Sequence, residues 1–226
     1  MNDRVHERPA AGRGRMPPPA RGEARSALLD AAVDLIRAKG LHATTVDDLC
    51  AAAGVTKGAF FHHFPSKEAL AVAAAHHWSA TSGELFATAL YHEPGTAFER
   101  IMAYIDFRAS LIVGPPAEYT CLVGTMAQEA FATHPDVRDA CAASIYGHAA
   151  TLDADLAEAL AAAGARADSG VTAAGLALHT QTVLQGAFVV SKAADDPAVV
   201  TDTLDHLRRY LRCVLLPLHP TPNEEL

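Results

Sequence analysis

TTVDDLCAAAGVTKGAFFHHFPSK, residues 44–67, decides the fold of this chain. Thr45 is a good N-cap, and Asp48 at the N3 position completes a capping box, which predicts a helix that starts at Val46. Apolar residues follow at helical spacing until Gly54, because a left-handed glycine favours both a helix end and a sharp turn. The first part of the stretch is therefore predicted to be a short helix and a tight turn.

A second short helix follows, with Thr56 as its N-cap and Pro65 as its stop. Helical spacing places one set of side chains inward, namely Ala59, Phe60 and Phe64, and leaves another on or near the outer side, namely Lys57, Phe61, His62 and His63. Two helices joined by a turn of about three to four residues that contains Gly form the helix-turn-helix of DNA-binding proteins. The second helix is then the one expected to read DNA.

The run GVTKGAFFHHFPSKEAL, residues 54–70, closely resembles the helix-turn-helix signature of the TetR/AcrR family of bacterial regulators, and the resemblance extends from Ala24 to about Ala74. One departure is Phe61, which stands where the family most often has Tyr, so a hydroxyl that would bind phosphate is missing. The resemblance implies a cytoplasmic repressor that binds a palindromic operator in double-stranded DNA as a homodimer. It also implies release by a small, apolar inducer.

Eight residues are candidate DNA contacts: Thr44, Thr45, Thr56, Lys57, Gly58, Phe61, His62 and Lys67. Lys57 and His62 are expected to touch base edges or phosphates from the groove side. Thr44, Thr45 and Lys67 are expected to hold phosphates, and Gly58 is expected to let the backbone approach the duplex closely.

Length and composition favour an all-α protein of two domains. The chain has 226 residues, 50% hydrophobic but only 6% aromatic, and its many alanines suit closely packed helices. We expect a disordered basic arm at 1–22, the helix-turn-helix domain at 23–67, a helical ligand-binding and dimerisation domain at 68–217 and a tail at 218–226. Without a signal peptide or an uncharged apolar run of about 18 residues, the chain is expected to be cytoplasmic, with no membrane partner.

Charge is distributed unevenly along the chain. Residues 1–67 carry ten Lys or Arg and seven Asp or Glu, a net charge of +3, whereas the remainder carries eight and nineteen, a net charge of −11. This asymmetry predicts a DNA-facing N-terminal part and an acidic body that phosphates repel. The alternative is that the acidic helix faces of the body are simply solvated.

The N-terminal arm, residues 1–22, is rich in Pro, Gly and Arg and has almost no large apolar residue, which predicts disorder. Four arginines in or next to it can reach the minor groove or phosphates beside the helix-turn-helix, namely Arg13, Arg15, Arg21 and Arg25. The alternative is an inert extension.

Nine helices, no strand and no internal repeat are expected. Ser66 caps a long helix that runs to about Leu90 and connects the two domains, and a capping box of Thr96 and Glu99 starts the next, which ends at Gly114. The other helices are expected at 23–39, 46–53, 57–64, 119–132, 135–163, 172–193 and 197–216.

The helical body has much apolar surface and few convergent polar groups, as a small-molecule pocket between helices requires. Candidate pocket residues are bulky, soft or polar side chains on helices that should surround its centre, namely Trp78, Phe86, Met102, Ile105, Cys121, Met126, Tyr146 and His179. The alternative for each Met or aromatic residue is plain core. For His179 or His148 the alternative is a histidine satisfied internally.

The resemblance also implies that the last two helices form the dimer seam. One stripe consists of Leu176, His179, Val183, Gly186 and Val190, and the other consists of Leu204, Leu207, Leu211 and Leu215. Charged substitutions at Leu211 or Leu215 are expected to dissociate the dimer. The alternative is that a stripe merely faces its own core.

Other function classes are disfavoured. The chain has no GxSxG, HExxH, P-loop or GxGxxG, so no enzyme is expected and no catalytic residue is assigned. The cysteines show no CxxC spacing, and adjacent His76 and His77 point to different faces, so neither a metal nor another cofactor is expected. Two alternatives remain, a repressor that senses electrophiles or oxidants through Cys121 near a helix start, and a DNA-binding protein without a ligand.

Overall fold

The computed structural model describes residues 21–164 and 170–216, which form eleven α-helices and no strand. The helices are α1 (Arg21–Lys39), α2 (Val46–Ala53), α3 (Lys57–His63), α4 (Lys67–Ala87), α5 (Ala97–Ser110), α6 (Pro116–Tyr119), α7 (Leu122–Ala130), α8 (Pro135–Ala150), α9 (Asp153–Ala162), α10 (Ala173–Ala194) and α11 (Ala198–Leu215), with a 3₁₀ turn at Leu90–His92. The all-α class is confirmed. Residues 1–20 of the predicted arm and the predicted tail lie outside the described residues, whereas Arg21 and Gly22 already belong to α1.

The expected helix at 135–163 is in fact two helices, α8 and α9. The break lies at Thr151, whose hydroxyl donates to the carbonyl of His148 at 2.7 Å, and Leu152 is buried beside it. Acidic Asp153 and Asp155 then favour a new helix N-terminus. The break lets α8 pack on α4 and α7 while α9 turns to α5. The expected helix at 119–132 is likewise wrong, because α6 and α7 are separate.

Two clusters of buried residues hold the bundle together. One joins the helix-turn-helix part to the body, since Leu28, Phe60 and Leu70 share it with Met126 of α7 and Cys141 of α8. The other is built from the end of α4 and from α5, α9, α10 and α11. The helix-turn-helix part is therefore joined to the body through α1, which packs on α7, and through α4, which packs on α8.

The stripe of α11 faces the core of its own chain. Leu204, Leu207, Leu211 and Leu215 are all exposed by 3% or less, because α11 lays this face on α10 and α5. The expectation that these leucines form the dimer seam is wrong. The α10 stripe is mixed: Leu176 is buried, whereas His179, Gly186 and Val190 are exposed.

Helix α10 is the one helix in the described parts of the chain that is long and apolar enough to cross a membrane by length and composition. Eight of its residues are buried inside the bundle, and these include Thr180, Gln181 and Ser191. A central helix of a soluble bundle has the same composition.

Candidate DNA-binding surface and internal cavity

The predicted helix-turn-helix is present with its predicted caps. Thr45 and Asp48 form the capping box of α2, and Gly54 ends that helix in the left-handed conformation at φ 66°. Thr56 caps α3 by accepting a hydrogen bond from the Ala59 N–H. We refer to α3 as the reading helix.

The reading helix buries Phe60 fully and leaves Phe61 54% exposed. Lys57 is also exposed, but its ammonium forms an ion pair of 2.7 Å with Asp47 of α2, which raises the lysine pKa. His62 lies on the exposed side as well, as predicted from helical spacing, and Thr56 and Gly58 are also exposed. Lys57 must therefore share or leave its carboxylate partner to contact DNA.

Two of the expected phosphate contacts have internal partners instead. Thr44 is fully buried, and its hydroxyl donates to the carbonyl of Gly40 at 2.7 Å, so assigning that side chain to a phosphate is wrong. The ammonium of Lys67 donates to the carbonyls of Leu41 at 2.9 Å and Thr44 at 3.1 Å. Lys67 thus fastens the loop before α2 to the start of α4.

Thr45 is also engaged within its own cap. Its hydroxyl donates to the carboxylate of Asp48 at 2.8 Å and accepts the Asp48 N–H. Lys39 donates to the same carboxylate at 2.7 Å, and this hydrogen bond is the main reason that the pKa of Asp48 lies well below its usual range. The cap is therefore stabilised by the hydrogen bonds between Thr45 and Asp48 and by the hydrogen bond from Lys39 to Asp48.

A cavity of about 280 Å³ lies in the body between α4, α5, α7, α8 and α10. Three of the predicted pocket residues line it, namely Trp78, Phe86 and Cys121. Its wall also includes side chains that the sequence did not single out as ligand contacts, namely Arg108, Tyr119, His148, Gln181, Gln185 and Phe188. Gln181 carried a detectable signal, because it is a polar residue at helical spacing from the apolar residues Ala177 and Leu184.

Five predicted pocket residues lie elsewhere, and those assignments are corrected. Ile105 and Met126 are fully buried in the two clusters, and Met102 packs against the same cluster as Ile105. Tyr146 is 59% exposed on the outer side of α8. His179 is exposed on α10, where its ring packs against that of Tyr210 at 5.1 Å.

A chain of neutral polar groups borders the cavity. The hydroxyl of Tyr104 lies 3.1 Å from Nε2 of His148 and accepts a hydrogen bond of 3.2 Å from the Gln181 amide. Burial, and secondly the charge of Arg108, lower the pKa of His148 to about 4. The imidazole is therefore neutral at pH 7, so Nε2 can accept the Tyr104 proton.

Arg37 of α1 connects the DNA-binding part with the cavity wall. Its guanidinium packs over the ring of Trp78 at 5.0 Å, and its Nε donates to the carbonyl of Thr120 at 2.7 Å. Lys192 of α10 donates to the Arg37 carbonyl at 3.3 Å. A displacement of Trp78 or of residues 120–121 would consequently displace α1, because Arg37 contacts both.

Cys121 is half-buried at the N-cap of α7, and its sulfur accepts the Gly124 N–H at 3.5 Å. All four cysteines of the chain lie in the described parts and are free thiols. Within residues 21–164 and 170–216, no group of three or more His, Cys, Asp or Glu is arranged to hold a metal ion.

Two family models match the chain. Residues 28–74 match the model described as bacterial regulatory proteins of the tetR family, and residues 97–207 match the tetracyclin repressor-like C-terminal domain. These ranges contain the reading helix and most of the cavity wall, respectively.

Curated relatives match over a short stretch. The HTH-type transcriptional repressor KstR2 of Rhodococcus jostii (strain RHA1) is 46% identical over 59 residues, which are 24% of this chain and 29% of the relative. The uncharacterized HTH-type transcriptional regulator YerO of Bacillus subtilis (strain 168) is 35% identical over 60 residues, which are 26% of this chain and 21% of that protein. The chain thus spans less than a third of the length of these relatives, both of which are named as regulators and not as enzymes.

Solved structures match over both domains. A TetR transcriptional regulator from Chloroflexus aurantiacus J-10-FL has a TM-score of 0.72 at 27% identity, with 84% of this chain and 95% of that chain covered. The reduced form of E. coli NemR has a TM-score of 0.70 at 22% identity, with 83% and 96% covered. The second likeness supports the fold alone.

Proposed function

This chain belongs to the tetR family of bacterial transcriptional regulators, and from that premise we propose that it is a cytoplasmic repressor that binds a palindromic operator as a homodimer and releases it when a small molecule binds. The observation that carries the proposal is helix α4. Lys67 at its start hydrogen-bonds the loop before the helix-turn-helix, and Trp78 and Phe86 further along it line the cavity. One rigid element therefore joins the DNA-binding part to the proposed ligand site.

On the operator, the reading helix is proposed to enter the major groove. Lys57 and His62 then read base edges or contact phosphates, while Thr56, Phe61 and the backbone at Gly58 lie against the duplex. Because the hydroxyl of Thr45 is used in its cap, its contribution is through the position of α2. Lys67 has one N–H left for a phosphate, since two are used internally.

The dimer is proposed to form through the outer faces of α10 and α11. Exposed apolar residues lie along α10, namely Leu178, Val189 and Val190, and exposed Tyr210 of α11 packs on His179 of α10. A groove of about 550 Å³ between α7, α8 and α10 is bordered by Tyr146, Leu178, Gly186 and Val189. The side chains of a second copy would fill this groove and cover those residues.

Release is proposed to be a shift between two existing arrangements of the bundle. A ligand that fits one arrangement better tilts α4, and the contact of Trp78 with Arg37 carries the tilt to α1. Differential affinity of about 1–3 kcal/mol is enough to change operator binding by roughly 5 to 150 fold.

Selection of DNA from a random library by the purified protein tests the core of this proposal. The selected sequence should have two-fold symmetry, with half-sites roughly 34 to 36 Å apart or a multiple of that distance. Analytical ultracentrifugation should find a dimer both free and on DNA. A monomer that protects a single half-site would exclude the proposal.

A second candidate is regulation by modification of Cys121. The observation that favours it is the position of the sulfur, which faces the cavity and accepts an N–H at the start of a helix of nine residues. N-ethylmaleimide should then abolish operator binding in the wild type and leave Cys121→Ser unaffected. If the serine variant loses operator binding equally, modification acts elsewhere. If the wild type keeps its affinity after complete alkylation of Cys121, the candidate is excluded.

A further inference from the structure

Arg108 places a positive charge in the wall of the cavity. It lies in the last turn of α5, and its guanidinium packs over the rings of Phe86 at 4.8 Å and Tyr104 at 5.8 Å. Its Nε atom is buried and has no hydrogen-bond partner. Because a guanidinium keeps its proton at any physiological pH, the cavity contains a permanent cation.

No acidic side chain in residues 21–164 or 170–216 forms an ion pair with Arg108. Two acidic residues on the packed helices α5 and α9 have other partners, since Asp106 pairs with Arg208 and Asp155 pairs with Arg100. Arg108 is partly buried, and a charge that is partly removed from water is costly when nothing compensates it, while a buried donor such as its Nε is normally hydrogen-bonded. A reversibly bound anion accounts for both features of Arg108.

The polar side chains beside Arg108 do not neutralise its charge. His148 is neutral at pH 7, and Tyr104 is engaged with the His148 imidazole and with the Gln181 amide. None of the three is an acidic side chain. The position next to the guanidinium is therefore left to a ligand.

The remaining wall of the cavity determines the size and polarity of the rest of that ligand. Its wall is largely aromatic and aliphatic, with Trp78, Phe86, Val123, Ile145 and Phe188. Its volume of about 280 Å³ lies near the lower end of the range of roughly 300 to 1,000 Å³ for small-molecule sites. The cavity therefore fits a compact, mostly apolar molecule.

We propose that the ligand is a small hydrophobic carboxylic acid, whose carboxylate pairs with the Arg108 guanidinium while its apolar body lies against Trp78 and Phe86. A carboxylate matches the planar fork of donors of a guanidinium, including the unpaired Nε. This inference rests on the proposed function, in that the cavity is taken as the inducer site.

Trp78 provides a direct binding signal, because it is the only tryptophan of the chain and lines the cavity. The full-length protein is titrated with octanoate, 4-phenylbutyrate and cyclohexylacetate, each compared with its primary amide, and Trp78 emission is recorded. Acids that bind should do so about tenfold or more tightly than their amides, since hydrogen bonds to a charged group are the stronger ones. Equal affinity within the pairs, or no binding by any of the six compounds, overturns the proposal.

Variants test the assignment to Arg108. Arg108→Gln should remove the preference for the acid, and Arg108→Lys should keep part of it. Arg212→Gln is the matched control, because Arg212 packs over Phe98 outside the cavity and its loss should leave the preference intact. Folding of Arg108→Gln is judged by circular dichroism, and a preference for the acid that survives in the folded variant overturns the proposal. If that variant does not fold, the proposal is decided by the acid and amide affinities of the wild type and of Arg108→Lys.

Failure of this inference can be separated from failure of the proposed function. Binding of an acid that depends on Arg108 but leaves operator affinity unchanged upholds the carboxylate site and contradicts the inducer role. Release of the operator by an amide as readily as by its acid upholds the inducer role and overturns the carboxylate site.

Discussion

At the scale of the residue, the ion pair of Lys57 with Asp47 bears on the proposed contact of Lys57 with DNA, because the carboxylate and a phosphate would compete for the same ammonium. The two side chains are exposed by 61% and 69% and are 2.7 Å apart, so the pair is in solvent and worth little to stability. On a duplex, however, Asp47 would both neutralise the lysine and repel phosphates. We therefore propose that this carboxylate limits non-specific binding, while the reading contacts provide sequence preference.

Asp47→Asn should therefore strengthen binding to unrelated DNA. Freeing one lysine per subunit for a phosphate should steepen the dependence of log K on log salt by up to about one unit per subunit. Fluorescence anisotropy with a random-sequence duplex at several salt concentrations measures this slope. Asp202→Asn on α11 makes the same charge change away from the helix-turn-helix, and equal effects of the two substitutions would count against the role of Asp47.

His148 predicts a pH dependence of stability. The pKa of His148 in the folded chain is about 4, below the usual value of 6.5 in an unfolded chain. Between about pH 4 and pH 6.5, the unfolded chain therefore binds a proton at His148 that the folded chain does not bind. Stability is thus lost as pH falls from about 6.5 towards 4, by on the order of 3 kcal/mol in full. Urea unfolding at pH 7.5 and pH 5.0 should show a smaller loss for His148→Gln than for the wild type. Replacing exposed His179 by Gln should not change the loss, and parallel behaviour of all three proteins would contradict this assignment.

At the scale of the element, α10 and α11 differ in which face is left uncovered. The leucine stripe of α11 is buried by its own bundle, whereas Leu178 of α10 is 36% exposed beside the groove that a second copy would fill. A charged substitution on the α11 stripe should therefore affect folding, whereas one at Leu178 should affect dimerisation.

Leu178→Asp should dissociate the dimer and leave the helical fold intact, while Leu211→Asp should unfold the protein. Leu211 is 1% exposed, so burying a carboxylate there costs several kcal/mol, which is a large part of the stability of a typical domain. Sedimentation reports the first effect and thermal unfolding the second. Leu90→Asp is the control, since Leu90 is 74% exposed on the 3₁₀ turn; a dimeric Leu178→Asp would place the interface elsewhere.

The helix ends within the helix-turn-helix were predictable because they depend on neighbouring residues, whereas the break between α8 and α9 was not predicted. The caps at Thr45, Thr56 and Ser66 and the glycine at Gly54 are where the sequence placed them. Helical spacing could not show which other helix, or which cavity, each inward-facing side chain contacts. Phe86 and Ile105 are both inward, yet the first lines a cavity and the second is in solid core, which depends on contacts between distant helices.

At the scale of the whole molecule, the cavity and the helix-turn-helix share two connections. Helix α4 is one, and the contact of Trp78 with Arg37 is the other. The buried cluster that includes Phe60 and Met126 keeps α7 and α8 against the DNA-binding part. A ligand that moves the wall of the cavity would therefore act on α4 and on α7, which packs against α1, and α1 in turn packs against the reading helix.

Arg37→Gln should weaken this coupling more than it weakens either binding event. Loss of the guanidinium removes the ring contact with Trp78 and changes the hydrogen bond to Thr120, so ligand binding should reduce operator affinity by a smaller factor. Arg212→Gln, which removes a cation–ring contact with Phe98 outside the cavity, is the control. Operator titrations with and without saturating ligand give the factor, and an unchanged factor in Arg37→Gln would remove this contact from the mechanism.

The most direct test of the whole account is reciprocity between the two sites. Affinity for a carboxylate that binds the cavity is measured from Trp78 emission with and without saturating selected operator, and operator affinity is measured with and without that carboxylate. Because coupling is a single free energy, operator must weaken ligand binding by the same factor, above one, by which ligand weakens operator binding. Ligand affinity that is equal with and without operator would contradict the account and leave the helical body as a dimerisation scaffold.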